Sequence, residues 1–237
     1  MKKAAQQVGQ ASSLPVAAAS LPAVAVNPRN SQQELSDGWR WVKLGELIAE
    51  AQHGFAIGEH DPNGVIQLRM NNVTAQGQFD WASFIRVPAH SETIAAYRLH
   101  QGDVLFNNPN STELVEKTAL FETHDEPVVF SNHFTRLRTD TEPLEPRFLA
   151  FWLQQLWQRG VFANICDRWI GQSAVQRNKL LALEIALPPL TEQKRIAGIL
   201  KEPMAAVERL RQTMAEQLDA INKLPGALLR RAFSGEL

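Results

Sequence analysis

The stretch Phe106–Ser111, "FNNPNS", is the first place in this 237-residue chain where the side chains could do chemistry. Its spacing comes close to the Asn-Pro-Pro-aromatic loop with which amino-methyltransferases hold a flipped base. The second proline and the stacking aromatic are missing, and no glycine-rich cofactor loop follows a predicted strand. Methyl transfer by this chain is therefore not expected. The triplet Glu192-Gln193-Lys194 contains part of a nuclease metal motif, but it stands where a helix begins and has no paired acid upstream. It reads as charge placed at a helix start. There is no GxxxxGK[ST] phosphate loop and no Ser or Cys nucleophile motif. Of the six scattered histidines, His53 and His60 have no further ligand at metal-site spacing. Cys166 stands alone, which excludes an internal disulfide, argues against a cysteine-rich zinc site and suits a reducing cytoplasm. The chain reads as non-catalytic, without cofactor or metal.

What remains are loops rich in amides: Asn71-Asn72, Asn107-Asn108, Asn110-Ser111, Asn132-His133, Gln172-Ser173 and Gln176-Arg177-Asn178. Asn and Gln match the donor–acceptor edge of adenine in the major groove, and Arg matches that of guanine. Asn and Ser are equally the ordinary formers of turns, so each cluster alone has two readings. Double-stranded DNA is the partner that the first reading implies.

Such loops need elements to hold them. The apolar fraction is 44% and the charged fraction 21%, as in an ordinary soluble globular protein, and no apolar run is long enough for a membrane span. Residues 1–35 read as an Ala/Pro-rich tether outside the fold. From there the pattern predicts an α+β domain over 36–190. "WRW" begins a strand, and "LGELIAEA" has helical spacing. "GVIQL" is a strand that Phe79-Asp80-Trp81 resumes, and "DVLF" is another. "KTALFE" is the next, followed by one long alternating strand over "PVVFSNHFTRLRT". A helix spans Pro146–Arg159, and "LLALEIALPP" is the last strand. This middle region has 13 basic against 18 acidic residues, against the usual footprint of a DNA binder.

Residues 191–237 differ. Thr191 can cap a helix with Glu192 in its first turn. Ile196, Leu200, Pro203, Val207, Leu210, Met214, Gln217, Ile221, Leu224 and Leu228 then advance in 4-3 alternation, a coiled-coil seam. Pro203 predicts a short helix ending near Leu200 and a long one with the proline in its first turn. The chain offers no second helix of matching length, so the seam calls for another chain.

Four segments in order, "YRLHQGDVLFNNPNSTELVEKTALF", "FSNHFTRLR", "LLALEIALPPLTEQKRIAGIL" and "LLRRAFSGEL", resemble the specificity subunits of type I restriction–modification systems. The resemblance implies a target recognition domain followed by a spacer helix. Family members typically carry two of each; this chain has one of each and looks like a half-subunit that dimerises to read a bipartite palindrome. It also implies methyltransferase subunits as partners, with an endonuclease subunit as a further one. By position it brings Asn107, Asn108, Asn110, Ser111 and Lys117 near DNA, adds Arg69, Asn71 and Asn72 from "QLRMNN", and adds Gln172, Gln176 and Arg177 from "GQSAVQRNKL". Glu116 stands where the family usually has glycine. The pairing helix is expected to use Ile196, Leu200, Val207, Leu210, Met214, Ile221, Leu224 and Leu228. Two competing readings are a recognition subunit for another phage-defence methyltransferase and a coiled-coil adaptor that binds no DNA.

Overall fold

The structure, a computed structural model, describes residues 35–110, 117–139, 142–169 and 172–235. The expected tether over 1–35 lies, but for its last residue, outside them. Strand β1 (Arg40–Lys43) pairs antiparallel with the last strand, β12 (Glu184–Leu187), so Arg40 faces Leu187 and Lys43 faces Glu184. The two ends of the α+β region are thus stitched together just before Pro188.

The helical spacing across "LGELIAEA" is overridden. Leu44–Glu46 make one 3-10 turn, and β2 (Ile48–His53) then pairs antiparallel with β9 (Phe134–Thr139). The reason lies on β9. Arg136 is 2% exposed and its Nη2 donates to Glu50 at 2.6 Å and to Gln52 at 2.5 Å. Residues i and i+2 share a face only in extended chain, so satisfying this guanidinium requires a strand.

β9 also pairs with β5 (Val104–Asn107), and β5 with β7 (Thr118–Leu120), giving an antiparallel sheet in the order β2-β9-β5-β7. A second sheet joins β4 (Ile85–Val87), β3 (Val65–Leu68) and β8 (Val128–Phe130), with β3 and β8 parallel. The long strand expected over Pro127–Thr139 is therefore two strands in different sheets. The Phe134 N–H donates to the Ser131 carbonyl at 3.0 Å, closing a turn that turns the chain from one sheet into the other. Phe79-Asp80-Trp81 forms no strand, only a single bridge between Val73 and Phe79. A third sheet sets β6 (Pro109–Asn110) beside β11 (Gln172–Ala174) and β10 (Asp167–Trp169).

Helix α1 (Ser91–Tyr97) has no counterpart in the sequence reading. Helix α2 (Pro146–Gln158) begins as expected: proline occupies its first position and the Glu145 carboxylate accepts the Phe148 N–H at 2.6 Å. Its Phe148, Leu149, Trp152, Leu153 and Leu156 enter the main core with Val104, Phe106, Leu137 and Ile185. Short helices α3 (Val161–Ile165) and α4 (Arg177–Leu181) complete that side.

Helix α5 (Leu190–Phe233) is continuous over 44 residues, about 66 Å at the usual rise, and carries Pro203 and Pro225 within it. The expected break at Pro203 is absent. Before the proline, Ile196 and Leu200 pack into the main core. After it, the Gln76 amide meets the helix, its nitrogen 2.7 Å from Glu208 and its oxygen 3.0 and 3.2 Å from the Arg211 guanidinium. The same domain therefore holds the helix on both sides of the proline. Pro203 itself is exposed, so the Ile199 carbonyl that loses its donor can be hydrated.

Candidate nucleic-acid interface

One end of the four-stranded sheet gathers polar residues from several elements. β2 ends there at His53, β5 at Asn107, and β9 begins there at Phe134–Thr135. The Ser131–His133 turn joins them: the Ser131 N–H donates to Leu68 at the end of β3, and the Asn108 N–H donates to the His133 carbonyl at 2.8 Å. Loops from both larger sheets thus meet at one rim.

The predicted site residues divide on this rim. Arg69 and Asn71 follow β3; Asn71 is exposed, and Arg69 makes no ion pair among the described residues. Asn72 is turned inward: it is 1% exposed, its Oδ1 accepts the Arg69 N–H at 2.8 Å and its Nδ2 donates to the Asp80 carbonyl at 3.1 Å. It is the clasp that shapes the loop carrying the other two.

Asn107 and Asn108 are also turned inward. Asn108 Nδ2 donates to Thr135 Oγ1 at 2.8 Å, and Thr135 Oγ1 lies 3.2 Å from His53 Nδ1. Asn107 is fully buried, and neither amide atom finds a hydrogen-bond partner among the described residues. Lys117 likewise points into the protein, donating to the Val73 carbonyl at 2.5 Å; desolvation holds its ammonium below the ordinary lysine range. All three side chains are turned toward the fold in this structure.

Asn110 and Gln172 come together by backbone: Asn110 faces Ser173, next to Gln172 in β11. Their side chains, and Ser111 entirely, lie outside the described residues. Gln176 is exposed and helps hold the Asp167 carboxylate below its usual range, after the larger effect of Lys179. Arg177 is exposed and donates to the Ala51 carbonyl at 3.2 Å. Beside it His53 is held below the ordinary imidazole value, first by partial burial and then by the Arg177 charge. The rim's outward groups are thus Arg69, Asn71, Gln176, Arg177 and His53, of which the sequence reading did not choose His53. Among the described residues no group of three or more His, Cys, Asp or Glu could hold a metal ion.

Beneath the rim lies an ionic lattice. Arg138 grips Asp103 with two bonds, Nε to Oδ1 at 2.7 Å and Nη2 to Oδ2 at 2.8 Å, while Glu50 bridges Arg138 and Arg136. Asp103 is 1% exposed, so the acid of "GDVLF" is structural.

The expected pairing residues also divide. Ile196 is buried and Leu200 partly so, both against their own domain, which removes them from any free seam. Val207, Leu210, Met214, Ile221, Leu224 and Leu228 are exposed, with Leu218, which the 4-3 count passed over, at 59%. No helix among the described residues is long and apolar enough to cross a membrane.

Residues 36–218 match the family described as the type I restriction modification DNA specificity domain. A protein of Methanocaldococcus jannaschii, provisionally named the type I restriction enzyme MjaX specificity subunit, is 34% identical over 203 residues, covering 85% of this chain and 47% of that one. The StySPI specificity subunit of Salmonella potsdam is 26% identical over 217 residues, covering 88% and 45%. The crystal structure of the HsdS subunit from Thermoanaerobacter tengcongensis is 25% identical with a TM-score of 0.53, covering 82% of this chain and 49% of that one. A chain solved in work on assembly and conformational transition of the type I R-M system has the same fold, at a TM-score of 0.58 and 23% identity, covering 87% and 48%. The chain spans about half the length of the curated relatives it matches.

Proposed function

The chain belongs to the family of type I restriction–modification DNA specificity domains, and from that membership we propose that it is a non-catalytic recognition subunit that reads one half-site of duplex DNA, pairs with a second copy through α5, and joins methyltransferase subunits. The observation that carries this reading is one molecule's combination of a polar rim with an apolar stripe left exposed among the described residues. Leu210, Met214, Leu218 and Ile221 are each at least 59% exposed on the same helix, Leu210 next to the Arg211 contact with Gln76 and the other three beyond it. Apolar side chains repeated on one face of a solvated helix call for a partner helix, and a second identical helix meets that need by symmetry.

The acidic balance of the domain is consistent with such an arrangement, because the methyltransferase subunits supply much of the positive surface that grips the phosphates. The rim itself contributes Arg69 and Arg177 for positioning and amides for sequence. Methylome sequencing of a host that expresses the chain with its methyltransferase subunits tests the proposal. A bipartite palindromic motif is expected. An undivided or asymmetric motif overturns the self-paired arrangement, and no motif at all overturns the recognition role.

A further inference from the structure

We propose that the Ser131–His133 turn is a base-reading element of the DNA interface, with the Asn132 side chain as the specificity-determining group. This rests on the recognition-subunit reading and names a residue within its site. Asn72, Asn107 and Asn108 are committed to the interior, which leaves the rim with fewer outward amides than the sequence offers. Asn132 is exposed, and its side-chain amide makes no hydrogen bond to the described residues.

Its backbone is fixed by every neighbouring element. The Asn132 N–H donates to the Phe55 carbonyl at 3.2 Å, the Ser131 N–H to Leu68 at 2.9 Å and the Phe134 N–H to Ser131 at 3.0 Å. The His133 carbonyl accepts from Asn108 at 2.8 Å. Gly54 lets the end of β2 press against the turn: a Cβ there would stand 2.3 Å from the Ser131 carbonyl oxygen and 2.4 Å from that of Phe130. The backbone under this side chain is preorganised, so binding here costs the rotamer freedom of one short side chain and no ordering of the loop.

The placement suits a groove. Arg69 and Asn71 follow β3, which the Ser131 N–H contacts, and His53 with Arg177 stands on the other side at the end of β2. Cationic groups flanking a central amide match a reader whose neighbours hold phosphates. A primary amide matches one base edge as a unit: its oxygen accepts from adenine N6–H while its nitrogen donates to N7, so adenine is the base it fits.

The test uses the full chain with its methyltransferase subunits, selecting from a pool of fully randomised duplex DNA and followed by competition between single-base variants. The parent should enrich a motif. Asn132→Ala should lose about 5- to 150-fold of the preference at one position in each half-site, with an unchanged salt dependence. Asn132→Asp, which keeps the shape but only accepts, should move that position from adenine toward cytosine. An unchanged motif in both variants overturns the inference and leaves the recognition role standing, as does a uniform weakening on all sequences, which would mark a backbone contact. A parent that enriches no motif overturns the recognition role and this inference together.

Discussion

Gln193, in the first turn of α5, accepts the backbone N–H of Glu145 on its side-chain oxygen at 2.9 Å, while Glu145 uses its own carboxylate to cap α2. The start of one helix is thereby tied to the start of another. The Gln193 nitrogen completes the knot, donating to the carbonyls of Pro143 at 2.8 Å and Pro188 at 2.9 Å. The residue is 1% exposed, so water cannot replace it. Gln193→Leu keeps the volume and removes the partner of three backbone groups, of which the Pro188 carbonyl is in a buried bond and the other two are part-buried. The expected loss is about 2–5 kcal/mol in urea unfolding. A loss below about 0.5 kcal/mol, the scale of a surface change, would mean that the knot is not holding the helix.

Lys117 and Arg177 should separate in a salt titration of DNA binding. Lys117 donates inward to Val73, so Lys117→Met should leave the salt slope alone and lower stability by about 1 kcal/mol. Arg177 is exposed at the rim, and Arg177→Ala should flatten the slope by about one phosphate contact. The reverse pattern would place the DNA on another face.

Leu210 and Ile221 are 61% and 64% exposed on α5. Replacing both with Asp puts charge into the proposed helix pair at a cost of roughly several kcal/mol. Light scattering should show the parent as a dimer and the variant as a monomer with an intact domain. A parent that is monomeric at micromolar concentration, alone and with methyltransferase subunits, removes the self-pairing.

His53 offers a pH test. Its pKa is lowered in the folded protein, by burial first and by Arg177 second, so the folded state prefers the neutral ring. The unfolded chain binds the extra proton near pH 6.5, so stability is whole above that value and declines as pH falls from it toward the folded pKa. NMR titration should show Arg177→Ala raising the His53 pKa only part of the way, because burial remains. Full return to the ordinary value would make the charge the dominant cause.

Much of this was readable in advance where one face of an element decides its fate. The apolar stripe of Phe148–Leu156 and the Pro188 boundary did so for α2 and β12. The failures share a cause in long-range partners. Nothing local shows that Glu50 and Gln52 will meet Arg136, whose side chain turns a helix-spaced segment into β2. Nothing local distinguishes the inward amides of Asn72 and Asn108 from the outward one of Asn71, because turn-forming and base-reading use the same functional group. On α5 the apolar residues of the 4-3 pattern are exposed from Val207 onward, but the domain's own use of Ile196 and Leu200 depends on where α2 lies.

The two prolines of α5 have a geometric consequence. At about 100° per residue, Pro203 and Pro225 sit about 20° to either side of Met214, on the face that also presents Val207, Leu210 and Ile221. Each ring crowds the carbonyl four residues earlier, and relief of that clash lengthens the face on which it lies. The two deformations add, so the helix is biased to bow with its apolar face outward. Two such bows laid face to face touch first at their crests and part toward their ends. Met214, an unbranched and adaptable side chain, stands at the crest, the point through which a twofold axis relating two copies would pass.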